Sequence, residues 1–186
     1  MNIIDAIKSR RSVKRFTSRP VSRSEIEALL DTAVFAPNHR MTQPWRFIVL
    51  GPVARRKFGA VLGGRKARKV EDPAAAAAVR DKVTEEHAAL PAMIAVAMHL
   101  DDDLETREED FAATWMAIQN IVIAAQELGL GSHIKTGAVM DDPATREALG
   151  VDEKTRILAT IHLGEPAELP PLKPRASAAE KTRWLS

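Results

Sequence analysis

Ala92-Met93-Ile94-Ala95-Val96-Ala97-Met98-His99-Leu100 is apolar at every position but one. No alternation separates a wet face from a dry one, so the run reads as a strand covered on both sides, the pattern produced when helices pack on each face of a sheet. Arg156-Ile157-Leu158-Ala159-Thr160-Ile161-His162-Leu163 reads the same way, as does Trp45-Arg46-Phe47-Ile48-Val49-Leu50, which Gly51-Pro52 ends. Helical patterns alternate with these strands. Residues 2–10 put Ile3, Ile4 and Ile7 on one side. Ser22-Arg23-Ser24-Glu25 forms a capping box, with Val21 and Ile26 as a hydrophobic staple, and starts a helix over 23–35 that Pro37 stops. Further helices are predicted over 54–62, 73–89 and 108–128, and a short one lies between Asp142-Pro143 and Gly150. The segment 63–69, with two glycines and four cations, reads as a mobile loop. The expected fold is α+β, a central mixed β-sheet flanked by helices.

The helix over 108–128 carries Trp115, Met116, Ile118, Ile121, Val122 and Ile123 around most of its circumference. Such a helix is buried on all sides, in the core or between subunits, and the apolar excess predicts a two-fold interface that includes Ile121.

Composition sets the limits. A chain of 186 residues, 45% hydrophobic, supports one core and one domain, residues 1–186. The apolar helix is interrupted by Thr114, Gln119, Asn120, Gln126 and Glu127, and the N-terminus lacks the pattern of a signal peptide, so a cytoplasmic protein without membrane contact is expected. Without cysteine there is neither a thiolate metal site nor a redox-active dithiol, so electron transfer would need a bound cofactor. Residues 1–70 hold 16 Lys/Arg against 4 Asp/Glu, whereas residues 71–186 hold 11 against 21. The basic front invites an anion or its own acidic partner surface. Nucleic acid is not expected, because the basic residues are not interleaved with stacking aromatics and no helix-turn-helix, finger or RNP signature is present. The five histidines have no ligand spacing on one helix, Asp101-Asp102-Asp103 lacks EF-hand spacing and a turn glycine, and no Gly-x-Ser-x-Gly is found.

No glycine-rich phosphate loop follows a strand either, so a phosphate would have to be gripped by side chains. Arg10-Arg11-Ser12-Val13-Lys14-Arg15 places four cations and a hydroxyl at the end of the first helix. Two guanidinium groups can hold a phosphate through paired hydrogen bonds, with Ser12 adding a neutral one; the same charges would also suit a bare helix C-terminus. In Pro37-Asn38-His39-Arg40-Met41-Thr42-Gln43-Pro44-Trp45 two prolines fix φ, leaving the Asn38 and Gln43 amides for a ring with donor and acceptor edges or for the local backbone. In Gly129-Leu130-Gly131-Ser132-His133-Ile134-Lys135-Thr136-Gly137, glycines allow close backbone approach or cap a helix.

These segments, in this order, resemble the nitroreductase superfamily, and the chain is similar to its compact, short members. The resemblance implies a homodimer with FMN at the subunit interface, the long helix at or near that interface, and hydride passing from NADH or NADPH through flavin N5 to nitroaromatic, quinone or similar acceptors in a ping-pong scheme. It implies that Arg10, Arg11 and Ser12 hold the phosphate, joined by Lys173 and Arg175 of Leu172-Lys173-Pro174-Arg175. Lys14 would reach the pyrimidine end of the flavin, where a cation strengthens its hold as negative charge develops. Pro37, Asn38, His39 and Gln43 would bind the ring, with Asn38 and His39 coming from the other subunit, and in the stretch Ile134, Lys135, Thr136 and Gly137 the backbone N–H of Thr136 or Gly137 would lie at N5 and O4. Many relatives have Ile/Val-Glu-Gly-Phe in this last place, so Lys135 departs from the pattern. No side chain stands out as a general acid. The alternatives are a flavin-dependent dehydrogenase or dehalogenase on the same scaffold, or a non-catalytic anion- or nucleic-acid-binding module.

Overall fold

The strand that runs from Ala92 to His99 (β2) buries its first seven residues completely, because helices cover both of its faces. The computed structural model describes residues 2–185 of the chain. Around β2 the elements are α1 (Ile3–Ser9), α2 (Arg23–Ala33), β1 (Trp45–Val49), α3 (Pro52–Ala67), α4 (Pro73–Ala88), α5 (Leu104–Glu127), β3 (Gly131–Lys135), α6 (Pro143–Leu149) and β4 (Thr155–Gly164). Ile94, Val96, Ala159 and Ile161 pack on α2 and α5 on one side of the sheet. Met93, Ala95, Ala97 and Ile157 meet Phe58 of α3 and Leu149 of α6 on the other. The α+β class is as expected, and no helix among the described residues is long and apolar enough to cross a membrane.

The sheet order is β1-β2-β4-β3, and every strand pairing is antiparallel where a mixed sheet was expected. The connections explain the difference. Two helices, α3 and α4, return the chain to the end of the sheet that it left, so β2 runs against β1. A single helix, α5, sets β3 parallel to β2, but β4 enters between them and opposes both. The parallel element that remains is an isolated bridge between Ser12 and Ser132.

The capping box of α2 forms as read, with Ser22 accepting from Glu25 N while Glu25 accepts from Ser22 N. Arg19 at 2.8 Å and that backbone bond hold the Glu25 carboxyl at about 2, well below the usual carboxylate range. Three expectations change. Residues 63–67 are helical, because Gly59 and Gly63, one turn apart, let α3 lie directly on α4: a Cβ at Gly63 would stand 2.6 Å from the Arg80 carbonyl oxygen. Arg65 then reaches Asp142 at 2.6 Å, tying α3 to the cap of α6. Helix α5 begins at Leu104, four residues earlier than predicted, because Asp103 caps it by accepting from Thr106 N. Ile121 is fully buried inside the chain, and the surface of α5 is instead marked by Met116.

Where β3 and β4 meet the α3–α4 side, the packing turns polar. His133 lies opposite His162, which lies opposite Met93. The His87 ring of α4 meets His162 edge-on at 5.4 Å, and His133 stands 6.2 Å away. His162 Nε2 is buried without a hydrogen-bond partner. Burial, reinforced by neighbouring histidines and Lys135, pushes His162 down to about 3; burial, with Lys135 and Lys14, pushes His133 down to about 4.

Two predictions test these contacts. Gly64 faces open space, so Gly64→Ala stabilises the helix by up to about 1 kcal/mol, whereas Gly63→Ala forces α3 off α4 and lowers the urea midpoint. Histidines kept neutral in the fold protonate near 6.5 in the unfolded chain, so stability is full above that pH and is lost as pH falls towards the folded values. His162→Phe removes one such group. Between pH 7 and 4.5 its urea midpoint falls less than that of the wild type, by the equivalent of roughly 2 kcal/mol.

Candidate functional site

After α1 ends, the chain runs along the edge of β3. Val13 N donates to Ser132 O at 2.9 Å, Ser12 bridges Ser132, and Gly131 must be glycine because a Cβ there would lie 2.7 Å from Val13 Cγ2. This close seat fixes the basic segment. Arg10 and Arg11, with Gln126, Gly129 and Ser132, border a cavity of about 330 Å³. Arg11 Nη1 donates to Ser9 O at 2.9 Å, while Arg11 Nε is buried with no partner. An anion in that cavity would lie against the guanidinium groups of Arg10 and Arg11.

At the far end of β3, Ile134 and Lys135 pair with Ile161 and Thr160 of β4, and Thr136 and Gly137 carry the chain out, exposed. Gly137 has φ 126°, a conformation that side chains resist. The Lys135 amine is held below the usual lysine range, first by loss of solvation and then by the charges of Lys66 and Lys14. Lys14, Lys66 and Lys135 thus converge, and none has a carboxylate partner among the described residues. Lys66 was not found from the sequence because 63–69 read as a loop; the Gly59 and Gly63 spacing was the signal that it belongs to a packed helix. The residues fit a phosphorylated, electron-rich ligand. Cations lie unneutralised at both ends of one strand, and a buried guanidinium nitrogen lacks an acceptor.

The second polar segment lies elsewhere. Asn38 Oδ1 accepts from Gln43 N at 2.7 Å, and Asn38 Nδ2 donates to Thr42 Oγ1 at 3.1 Å and towards Asp110 Oδ1 at 3.4 Å. Thr42 in turn hydrogen-bonds to Asp110, His39 Nδ1 meets Glu109 at 3.0 Å, and Arg40 Nε donates to Glu109 at 2.9 Å. Asn38 therefore serves its own loop and does not hold its amide free, because the buried Asp110 and the Gln43 N–H are its nearer partners. Pro37 and Gln43 are exposed. Met41 at φ 52° and Gln43 at φ 47° are left-handed, which costs such residues about 1–2 kcal/mol each.

Within one chain the two segments stand apart. The Pro37–Gln43 loop is bound to Asp110 near the start of α5, and the arginine cavity to Gln126 near its end. Sixteen residues of helix separate these anchors by about 24 Å. Nor do Lys173 and Arg175 join the arginines: the tail leaves β4 beside the basic segment, with Thr17 N donating to Glu165 O at 2.9 Å and Ala167 N to Arg15 O at 3.0 Å, and both basic residues lie exposed beyond it.

Comparisons with known proteins agree with this architecture. The Nitroreductase family matches residues 7–165. The chain is 32% identical to "Putative NAD(P)H nitroreductase YfhC" of Bacillus subtilis (strain 168), over 95% of this chain and 91% of that one. The nitroreductase-like family protein from Bacillus cereus superposes with a TM-score of 0.86 and 31% identity, covering 100% of this chain and 96% of the other. The FMN and NADPH-dependent nitroreductase NfnB from Sphigopyxis sp. strain HMH shares the fold, with a TM-score of 0.78, 20% identity and complete coverage of both chains. The chain belongs to the nitroreductase family.

Proposed function

We propose that residues 1–186 form a cytoplasmic FMN-dependent oxidoreductase that works as a homodimer and uses NADH or NADPH to reduce a small nitroaromatic, quinone or similar acceptor. The observation that carries this reading is the arginine-edged cavity at the Gly131 end of β3, where the Arg11 Nε lacks an acceptor, together with Lys135 at the strand's other end under the charges of Lys14 and Lys66. FMN, when bound, supplies hydride acceptance and delivery. The chain supplies position and charge. Arg10, Arg11 and Ser12 hold the phosphate, and Lys173 and Arg175, exposed on the tail that leaves β4 beside this segment, are the basic pair assigned to the same phosphate. Lys14, Lys66 and Lys135 supply positive charge where a reduced ring gains negative charge, an interaction that strengthens as the charge develops. Ile134 backs the ring, and Thr136 or Gly137 offers a backbone N–H.

The second copy completes the site. Ile3, Ile4, Ile7 and Phe35 are exposed, and a groove of about 440 Å³ lined by Ile3, Ile7, Phe35 and Ile123 runs between α1, α2 and α5. An apolar face of this kind suits a two-fold contact. Pro37, His39 and Gln43, whose loop is anchored about 24 Å along α5 from the anchor of the arginine cavity, reach the partner's site across it.

Four outcomes are expected. Purified protein shows a flavin spectrum and releases FMN on denaturation. Arg10→Ala and Arg175→Ala each weaken FMN binding by about 1.5–3 kcal/mol while riboflavin binding barely changes, as titrations of both ligands would show. Met116→Glu, on the exposed side of α5, splits the dimer and releases FMN together; a folded monomer in sedimentation that keeps wild-type FMN affinity would sink the shared site. Reductant and acceptor share one opening in turn, so double-reciprocal plots run parallel.

A further inference from the structure

Asp110 is a carboxylate with only 3% of its surface exposed, placed on α5 where no cation meets it among the described residues. Its partners are neutral and come from one loop, the Thr42 hydroxyl and the Asn38 amide. Burying an ionisable group this way is costly unless its hydrogen bonds are needed. The same loop holds the described residues' two left-handed positions outside glycine, Met41 and Gln43, and both side chains are exposed. A left-handed exposed methionine gains nothing from packing. Such a backbone persists where its surroundings over-determine it, and here, beside Arg46 Nη1 donating to Gln43 O at 3.1 Å, the side-chain contacts of Asn38 and Thr42 lead to Asp110. Asp110 holds Thr42, Thr42 and Asp110 orient Asn38, and Asn38 Oδ1 accepts from Gln43 N at 2.7 Å, which fixes the turn between the two strained residues and Pro44.

We propose that Asp110 is a positioning residue that clamps the 38–43 loop in its left-handed form, so that Gln43 and His39 are presented rigidly to the ring site of the partner chain. The clamp does not touch the cofactor. It acts through Thr42 and Asn38, and Glu109, the residue before it on the same helix, supports it by holding His39 at 3.0 Å and Arg40 at 2.9 Å. The second half of the claim, presentation to the partner, rests on the function proposed above; the first half, that the loop's conformation depends on Asp110, does not.

The two halves separate in the test. Trypsin cuts after Arg40, inside the loop, so cleavage there in the apoprotein reports how firmly the loop is held. Asp110→Asn removes the acceptor's charge and speeds this cut by about tenfold or more, with dimerisation unchanged in sedimentation. FMN affinity falls about tenfold in the same variant, and the ratio of FMN to riboflavin affinity stays at its wild-type value, because the loop serves the ring and not the phosphate. Met41→Gly in the Asp110→Asn background relieves the left-handed strain and recovers part of the melting temperature. If Asp110→Asn fails to fold, Thr42→Val, which removes one hydroxyl, decides in its place. Cleavage at Arg40 that is unchanged in a folded variant overturns the clamp. Faster cleavage with unchanged FMN affinity overturns the presentation alone, and a wild-type protein that binds no FMN overturns the proposed function while leaving the cleavage result to judge Asp110.

Discussion

The length of α5 is the constraint on which the site depends. Its 24 residues cross the whole molecule beneath the sheet, and its buried side contributes Ala117, Ile118, Ile121 and Val122 to the core. The helix cannot bend its two ends together without emptying that core, so whatever is anchored at Asp110 remains far from whatever is anchored at Gln126. One end received an acidic side chain and a proline-bounded loop, and the other a cavity edged by arginines. In the function proposed above, one end of this rod supplies a loop for the ring and the other a cavity for the phosphate, and a second copy supplies both again.

Much of this was legible in the residues. Continuous apolar runs announced β2 and β4 because burial on both faces erases alternation, and Ser22-to-Glu25 announced the start of α2 because its donors and acceptors are satisfied locally. Strand β3 was not legible. Gly131-Ser132-His133-Ile134-Lys135 has weak strand propensity, and what makes it a strand is its ladder with β4 and the seat that Gly131 makes for Val13, contacts that are distant in sequence. The helical character of residues 63–67 was hidden for a related reason. Glycines and cations suggest a loop when read alone, but the glycines serve the approach of α4 and one cation is held by Asp142. For the site, the residue types at 10–15 and 37–43 were readable, whereas the local use of Asn38 required knowing that Asp110 lies beneath it.

The charge asymmetry of the chain also finds a physical form. Part of the basic front is neutralised, as at Arg19 with Glu25, Arg56 with Glu85 and Arg65 with Asp142. Other cations, such as Lys8, Lys57 and Lys69, are exposed singly on the surface. Lys66 of α3 and Lys14 act on Lys135 at the end of β3, and their charges add to the loss of solvation that chiefly lowers the affinity of Lys135 for its proton. A cluster of like charges raises the free energy of the ligand-free protein, and relief of that repulsion is part of what any bound anion would gain.

The glycine contact between α3 and α4 has a consequence for how the chain finds its fold. Residues 50–91 separate β1 from β2, a connection whose closure as a free coil would cost conformational entropy before any strand pairing could repay it. Two helices in intimate contact, joined by a short turn, can assemble from neighbouring residues alone. Once they do, the ends of the connection are brought to one edge, and Leu50 N is set to donate to Met93 O at 2.9 Å. The β1–β2 pairing, long-range by sequence number, then closes as a hairpin whose loop is already folded.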